Sequence, residues 1–458
     1  MSRYVAPLAL LPEGWRSDVV LETDPDGRLG QGTGSTAPSP AGTGALPRLP
    51  GPVIPGVVNA HSHAFQRALA GGAEVREGAG DSFWSWRRQM YRFLDRLTPE
   101  QVEVVATQLY VELLEQGYTR VVEFHYLHHD PRGRPHPDPL EMGRRIEGAA
   151  GTTGIGLTLL PVLYQSGDFG GRDPAPGQRR FLHETGAFLE LLSALRADPG
   201  PGTTVGWAAH SLRAVPPDAL ERVLAEAPPD GPVHIHAAEQ PREVRDCLAW
   251  SGLSPVEWLL QRAGVDRRWS LVHCTHMTES ETDALAASGA TAVVCPTTEA
   301  NLGDGLFPLE RWLAADGSLA VGSDSHVSTS PVEEVRWLEY GQRLVTGRRA
   351  VAASEERPST GRRLLEAVWA GGGRAAGTRA GALAPGHPAD WLVLDPDHPV
   401  LAGRRDDGLL DAWVFSGNDN PVREVWVGGR RVVVDGRHPH GGEASRAFAA
   451  VMEELLRG

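Results

Sequence analysis

The feature that most constrains the fold is a strand–helix alternation that begins after Gly51 and places a metal-competent side chain at the end of several strands. Short apolar runs rich in β-branched residues read as buried strands. They fall at Val53–Ala60, Thr119–Phe124, Ile155–Leu163, Thr204–Ala209, Val233–Ala237, Ser270–Cys274, Ala290–Cys295 and Ser318–Gly322. Helical patterns separate most of them. Thr98-Pro99-Glu100 opens one helix, with Thr as N-cap and Pro in the first turn, and Gly117 closes it. A second is expected from Pro241 through Leu260 and a third from Pro331 to about Leu344. Eight such units over more than about 250 residues predict an α/β fold, a (β/α)8 TIM-type barrel. An open doubly wound sheet is the rival architecture, and polar residues at so many strand ends favour closure.

Beyond about Gly381 the pattern changes to short strands and turns at Ala389–Leu394, Glu424–Val427 and Arg431–Val434, with Gly428-Gly429 as a hairpin signal. The first fifty residues are too short for a domain, so they are expected to pair with this tail in a small flanking β-sandwich built from both termini. The expected division is 1–52 for the first part of the sandwich, 53–380 for the barrel, and 381–458 for the rest of the sandwich and a terminal helix. Gly30 to Pro50 is rich in Gly, Pro, Ser and Thr and reads as a loop. Its Gly32-Thr33-Gly34-Ser35-Thr36-Ala37 run imitates a dinucleotide fingerprint, but that fingerprint must open a helix, and Pro38 and Pro40 deny one.

Forty-four basic against 58 acidic residues give a net charge of −14, which argues against nucleic acid or an anionic membrane as partner. An anionic substrate would need local arginines to overcome that field. The three cysteines, Cys247, Cys274 and Cys295, form no Cys-x-x-Cys pair and read as reduced thiols of a cytoplasmic protein. No segment approaches the roughly 20 apolar residues of a membrane span, and Val5–Leu11, interrupted by Pro7, makes no signal peptide.

His61 and His63 end the first strand two residues apart, and alternate side chains of a strand share a face. Further strand-end residues follow: His210, His236 with Glu239 on the turn beyond, His273, and Asp324. His234 lies one pleat deeper than His236 and reads as structural. Taken singly, a strand-end His is more often a hydrogen-bonded core residue, and an Asp there more often caps a helix, as Asp324 could for the helix after Pro331. Taken together, coincidence would have to place His61-x-His63, His236-x-x-Glu239, His273 and Asp324 at the correct ends of strands one, five, six and eight. His and carboxylate ligands with one position left for water suit a zinc-type catalytic site. The helical His-Glu-x-x-His signature is absent, since Thr185, Gly186 and Ala187 follow His183-Glu184. The zinc signature of nucleobase deaminases and any Ser or Cys nucleophile motif are absent as well. Hydrolysis by a metal-activated water is the economical chemistry.

These residues resemble the amidohydrolase superfamily, in the mononuclear branch that deaminates or hydrolyses C–N bonds. The resemblance covers nearly the whole chain. It is carried by His61-Ser62-His63-Ala64-Phe65-Gln66-Arg67-Ala68, Phe83-Trp84-Ser85-Trp86-Arg87, Glu123-Phe124-His125-Tyr126-Leu127-His128-His129 and His210-Ser211-Leu212-Arg213. Cys295-Pro296-Thr297-Thr298-Glu299-Ala300-Asn301-Leu302-Gly303-Asp304-Gly305 and Gly322-Ser323-Asp324-Ser325-His326 complete it. The resemblance implies release of ammonia from a linear formimidoyl group borne by a small dicarboxylate, in bacterial histidine degradation. It further implies one divalent ion, zinc first and iron as the other candidate, held by His61, His63, His236 and Asp324, and a homodimer. Glu239 would move a proton from water to the imino nitrogen, His273 would orient the attacking oxygen, and Asp324 would double as a proton relay. For the two carboxylates, Arg213 is the first anchor and Arg87 the second cation, though Arg87 could instead pack on Trp84 or Trp86. Gln66, Tyr126 and His210 are expected to orient the substrate, with His326 in or just behind the substrate site. A deaminase of the same superfamily acting on a small heterocycle or ring amide is the alternative, and a metal-free scaffold would be expected to have lost a ligand or Glu239.

Overall fold

The computed structural model describes residues 1–36, 46–72, 74, 90–91 and 93–457. Its strands are β1 (Ser2–Leu11), β2 (Gly14–Thr23), β3 (Val53–Pro55), β4 (Val57–Ser62), β5 (Tyr118–His125), β6 (Gly156–Leu163), β7 (Thr203–Val205), β8 (Trp207–Ser211), β9 (Val233–Ala237), β10 (Trp269–His273), β11 (Thr291–Val294), β12 (Ser318–Val321), β13 (Trp391–Leu394), β14 (Val422–Val427) and β15 (Arg430–Val433). The order β12-β11-β10-β9-β8-β6-β5-β4 is parallel throughout, with β7 pairing beside β6. Its two ends meet where Ser62 bridges Asp324 and the Asp324 N–H donates to the His61 carbonyl at 3.0 Å. The eight strands therefore make the near-closed barrel that the sequence predicts.

Local signals explain where the elements begin and end. Thr98 and Gln101 exchange hydrogen bonds of 3.1 and 3.2 Å in a capping box that starts the helix Pro99–Gln116. The single helix expected from Pro241 to Leu260 is instead two, Pro241–Ser251 and Pro255–Arg262. Gly252 stops the first in a left-handed conformation (φ +77°), and Ser254 caps the second by accepting from the Glu257 N–H at 3.3 Å. The expected strand Val53–Ala60 is likewise divided at Gly56: β3 pairs with β1 and β13, whereas β4 pairs with β5 in the barrel.

Strands from both termini form a separate six-stranded sheet in the order β15-β14-β13-β3-β1-β2, which fits the expected flanking β-sandwich. Trp391 and Trp426 stack at 5.0 Å within its core beside Ala6, Val19 and Leu21. Gly428 and Gly429, both with positive φ, form the tight turn between β14 and β15. The terminal helix Gly441–Leu456 follows. Of the Gly/Pro-rich loop, residues 37–45 lie outside the described residues, and 31–34 form a turn, not the start of a nucleotide-binding helix.

Barrel closure depends on a close backbone approach beside the first histidine. A Cβ on Gly322 would lie 2.6 Å from His61 Cβ and 2.7 Å from its backbone nitrogen. Gly322→Ala should therefore push β12 from β4, costing about 1–3 kcal/mol of stability by overpacking. Urea unfolding measures the loss, and an unchanged midpoint would mean that the seam tolerates separation.

Candidate active site and metal centre

Every strand-end residue singled out in the sequence points to the same end of the barrel. His61 Nε2 lies 3.1 Å from His63 Nε2 and 3.0 Å from His236 Nε2. Asp324 Oδ1 is 3.6 Å from His61 Nε2 and 3.4 Å from His63 Nε2. The His63 Nδ1–H donates to the Phe124 carbonyl at 2.9 Å, and the His236 Nδ1–H to the His210 carbonyl at 2.8 Å. Those bonds fix the tautomers and leave Nε2 as a lone pair on both rings. Burial lowers the pKa of all three imidazoles, that of His63 to about 3, and the mutual repulsion of neighbouring rings lowers His61 and His236 further. Three imidazole Nε2 atoms thus meet beside a carboxylate, with the lone pairs of His63 and His236 aimed at the meeting point, an arrangement suited to a cation. The donor set fits one divalent ion, and His3Asp suits zinc or iron.

Around this centre Glu239 and His273 face the same space. His273 Nε2 is 3.8 Å from Glu239 Oε1 and 3.9 Å from Asp324 Oδ2, while its Nδ1–H donates to Glu299 Oε1 at 3.2 Å. Burial opposes charge on this ring, but Glu239, Glu299 and Asp324 outweigh it and push the pKa up to about 10. Burial raises Asp324 to about 7, with His273 acting in the opposite direction. Left-handed backbone at Ala238, His273, Cys274, Asp324 and His326 concentrates strain at these strand ends. Each such residue costs on the order of 1–3 kcal/mol and persists because the surrounding barrel over-determines it.

His63, Gln66, Tyr126, His210, Arg213, His236, Glu239, His273 and Asp324 line one cavity together with Met90 and Leu302. Gln66 donates to the Tyr126 hydroxyl at 2.9 Å, and Arg213 Nη2 rests 3.7 Å from Glu239 Oε2. Two anticipated residues are not brought into this wall. Arg87, with Trp84 and Trp86, lies outside the described residues. His326 is fully buried behind the His61–His63 pair, in a chain where Asn59 Nδ2–H donates to Ser323 Oγ (2.6 Å), Ser323 O–H to His326 Nδ1 (2.8 Å), His326 Nε2–H to Ser62 Oγ (3.2 Å), and Ser62 O–H to Glu123 Oε2 (2.6 Å). His234, read as structural, donates to the Ala375 carbonyl at 2.8 Å. Asp324 caps no helix: the N-cap of Pro331–Thr346 is Ser330.

A profile of the amidohydrolase family matches residues 53–432. The chain belongs to the amidohydrolase family. This amidohydrolase is 52% identical over 457 residues to a formimidoylglutamate deiminase of Pseudomonas aeruginosa, covering 100% of both chains. It is 29% identical to an 8-oxoguanine deaminase of the same species, over 84% of this chain and 82% of that one. A solved amidohydrolase from Brucella melitensis superposes with a TM-score of 0.93 at 46% identity, covering 100% of each chain.

Sequence reasoning missed three supporting residues of this amidohydrolase. Glu123 accepts from the Ser62 hydroxyl at 2.6 Å and from the Ala64 N–H at 2.7 Å, so it holds the residues on both sides of His63, one by its side chain and one by its backbone. Glu299 accepts from His273 and from the Cys295 N–H at 2.8 Å. Asn59 joins β4 to the end of β12 through Ser323. Glu123 and Glu299 stand in stretches that carry the resemblance, but buried carboxylates on apolar segments give no sign of their partners. No helix among the described residues is long and apolar enough to cross a membrane.

Metal analysis checks the centre directly. Wild-type protein should purify with about one equivalent of divalent ion per chain, and His61→Ala or His236→Ala should retain under about a tenth of it with an unchanged circular dichroism spectrum. Equal metal content in wild type and variants would exclude these ligands.

Proposed function

We propose that this chain hydrolyses N-formimidoyl-L-glutamate to N-formyl-L-glutamate and ammonia. The observation that carries the reading is the 52% identity to a formimidoylglutamate deiminase across the whole of both chains. The cavity supplies a chemical rationale, because a cation anchor (Arg213) and a proton-transfer group (Glu239) stand side by side at the histidine cluster.

The ion for which His61, His63, His236 and Asp324 are suited, most simply a single zinc, supplies Lewis acidity that brings the pKa of water toward about 7. Arg213 binds a substrate carboxylate, for which guanidinium offers paired donors. To reach it, the substrate displaces the Glu239 contact and leaves that carboxylate available as a base. Glu239 takes a proton from the attacking water at Oε1 or Oε2 and passes it to the imino nitrogen. His273 presents Nε2 to the oxygen that becomes the formyl carbonyl and stabilises charge developing there. Asp324 relays the second water proton as the C–N bond breaks and ammonia leaves. Tyr126, Gln66 and His210 fix the remainder of the substrate, Arg87 is the second cation for its other carboxylate, and His326 acts from behind the ligands.

This reading comes with a domain division at residues 52 and 380, a role in histidine breakdown, and a cytoplasmic homodimer. A ring deaminase is less supported, since a relative of that kind stands at 29% identity and the cavity offers Arg213, a carboxylate anchor for which a ring substrate has no need.

Product analysis tests the proposal. Metal-loaded protein should release ammonia and formylglutamate in equal amounts, and Arg213→Met should lower kcat/KM by about 10²–10³, the loss of a charged hydrogen bond of a few kcal/mol. Free glutamate as the product, or indifference to Arg213→Met, would overturn it.

A further inference from the structure

Arg180 is among the largest fully buried side chains of the protein, at 1% exposure, and no acidic group lies within ion-pair distance of it among the described residues. A buried charge without a counter-ion is expensive, and proteins seldom retain one without a structural return. Here the guanidinium spends its hydrogens on backbone. Its Nε–H donates to the His129 carbonyl at 2.8 Å, Nη1 donates to the Leu94 carbonyl, and Nη2 has no partner among the described residues. The Arg180 carbonyl in turn accepts from both His128 N–H and His129 N–H at 3.0 Å. Burial weakens its proton affinity to about 10, with distant Asp95 and Asp130 compensating in part. It nevertheless remains charged at neutral pH.

The two segments joined in this way frame the substrate cavity. Residues 126–129 carry Tyr126, and Leu94, which is helical like Met90, stands four positions after it and just before the turn at 95–96. Tyr126 and Met90 touch across the cavity through a hydroxyl–sulfur contact of 3.8 Å. The residue after Arg180, Phe181, packs edge-on against Tyr126 at 4.9 Å. We propose that Arg180 is a positioning residue for substrate binding, a buried clip that holds the Tyr126 wall against the Met90 wall. This inference deepens the functional reading above and rests on it for the identity of the substrate.

Guanidinium suits this task because its fixed fork reaches two carbonyls in different directions at once, which a lysine ammonium on a flexible stem does not reproduce. The clip touches neither the metal ligands nor Glu239 and His273, so its loss should displace the binding wall and leave the chemical step intact.

Two readouts on the full-length, metal-loaded protein test the inference, using Arg180→Met and Arg180→Lys. Hydrogen–deuterium exchange needs no substrate. Peptides covering 90–97 and 126–129 should exchange at least about tenfold faster in the variants, while those from β9 and β10 keep wild-type protection. With N-formimidoyl-L-glutamate, KM should rise at least about tenfold with kcat within about threefold of wild type. Should Arg180→Met fail to fold, Arg180→Lys carries both readouts. Unchanged exchange in 90–97 and 126–129 would overturn the inference, as would kcat falling with KM unchanged. An inactive wild type with locally faster exchange in the variants would retire the substrate assignment and leave the clip standing.

Discussion

Three neutral imidazoles and one carboxylate converge at the seam where the first and last barrel strands meet, and much of the structure serves that convergence. Like dipoles aimed at one point repel, and burial removes the water that would screen them. The fold holds them through backbone acceptors on His63 and His236, through Asp324 fixed by its own N–H to the His61 carbonyl, and through the carboxylate of Glu123 behind the loop. A cation relieves the repulsion. The seam, joined by an isolated Ser62–Asp324 bridge in place of a regular ladder, is thus also where the candidate chemistry gathers.

The hydrogen-bonded chain from Asn59 through Ser323, His326 and Ser62 to Glu123 shows how closure and chemistry are linked. Each donor has one acceptor, and the direction of every bond follows from the amide at one end and the carboxylate at the other. His326 is thereby held neutral with its hydrogen on Nε2. The same chain ties the end of the eighth strand to the first and second, so the Asp324 turn cannot move without disturbing the His61–His63 pair.

Much of this was legible in the sequence for physical reasons. Alternating periodicity locates strands, and strand ends in a parallel barrel share one rim, so His61, His63, His236, His273 and Asp324 could be read as neighbours although 263 positions separate the first from the last. The supporting carboxylates were not legible. Glu123 and Glu299 act through backbone N–H groups and side chains brought near only by closure, and residue type alone gives no direction. The placement of His326 turned on tautomer and partner, which parity along a strand cannot supply. The Pro241–Leu260 segment shows a local failure, where continuous periodicity hid the stop at Gly252 and the new cap at Ser254.

The proposed chemistry requires one ion at the barrel seam. Anomalous diffraction from crystals of the metal-loaded protein, recorded on either side of the zinc absorption edge, tests it most directly. A single strong peak is expected within bonding distance of His61, His63, His236 and Asp324. A peak elsewhere in the fold, or none at this rim, would contradict it.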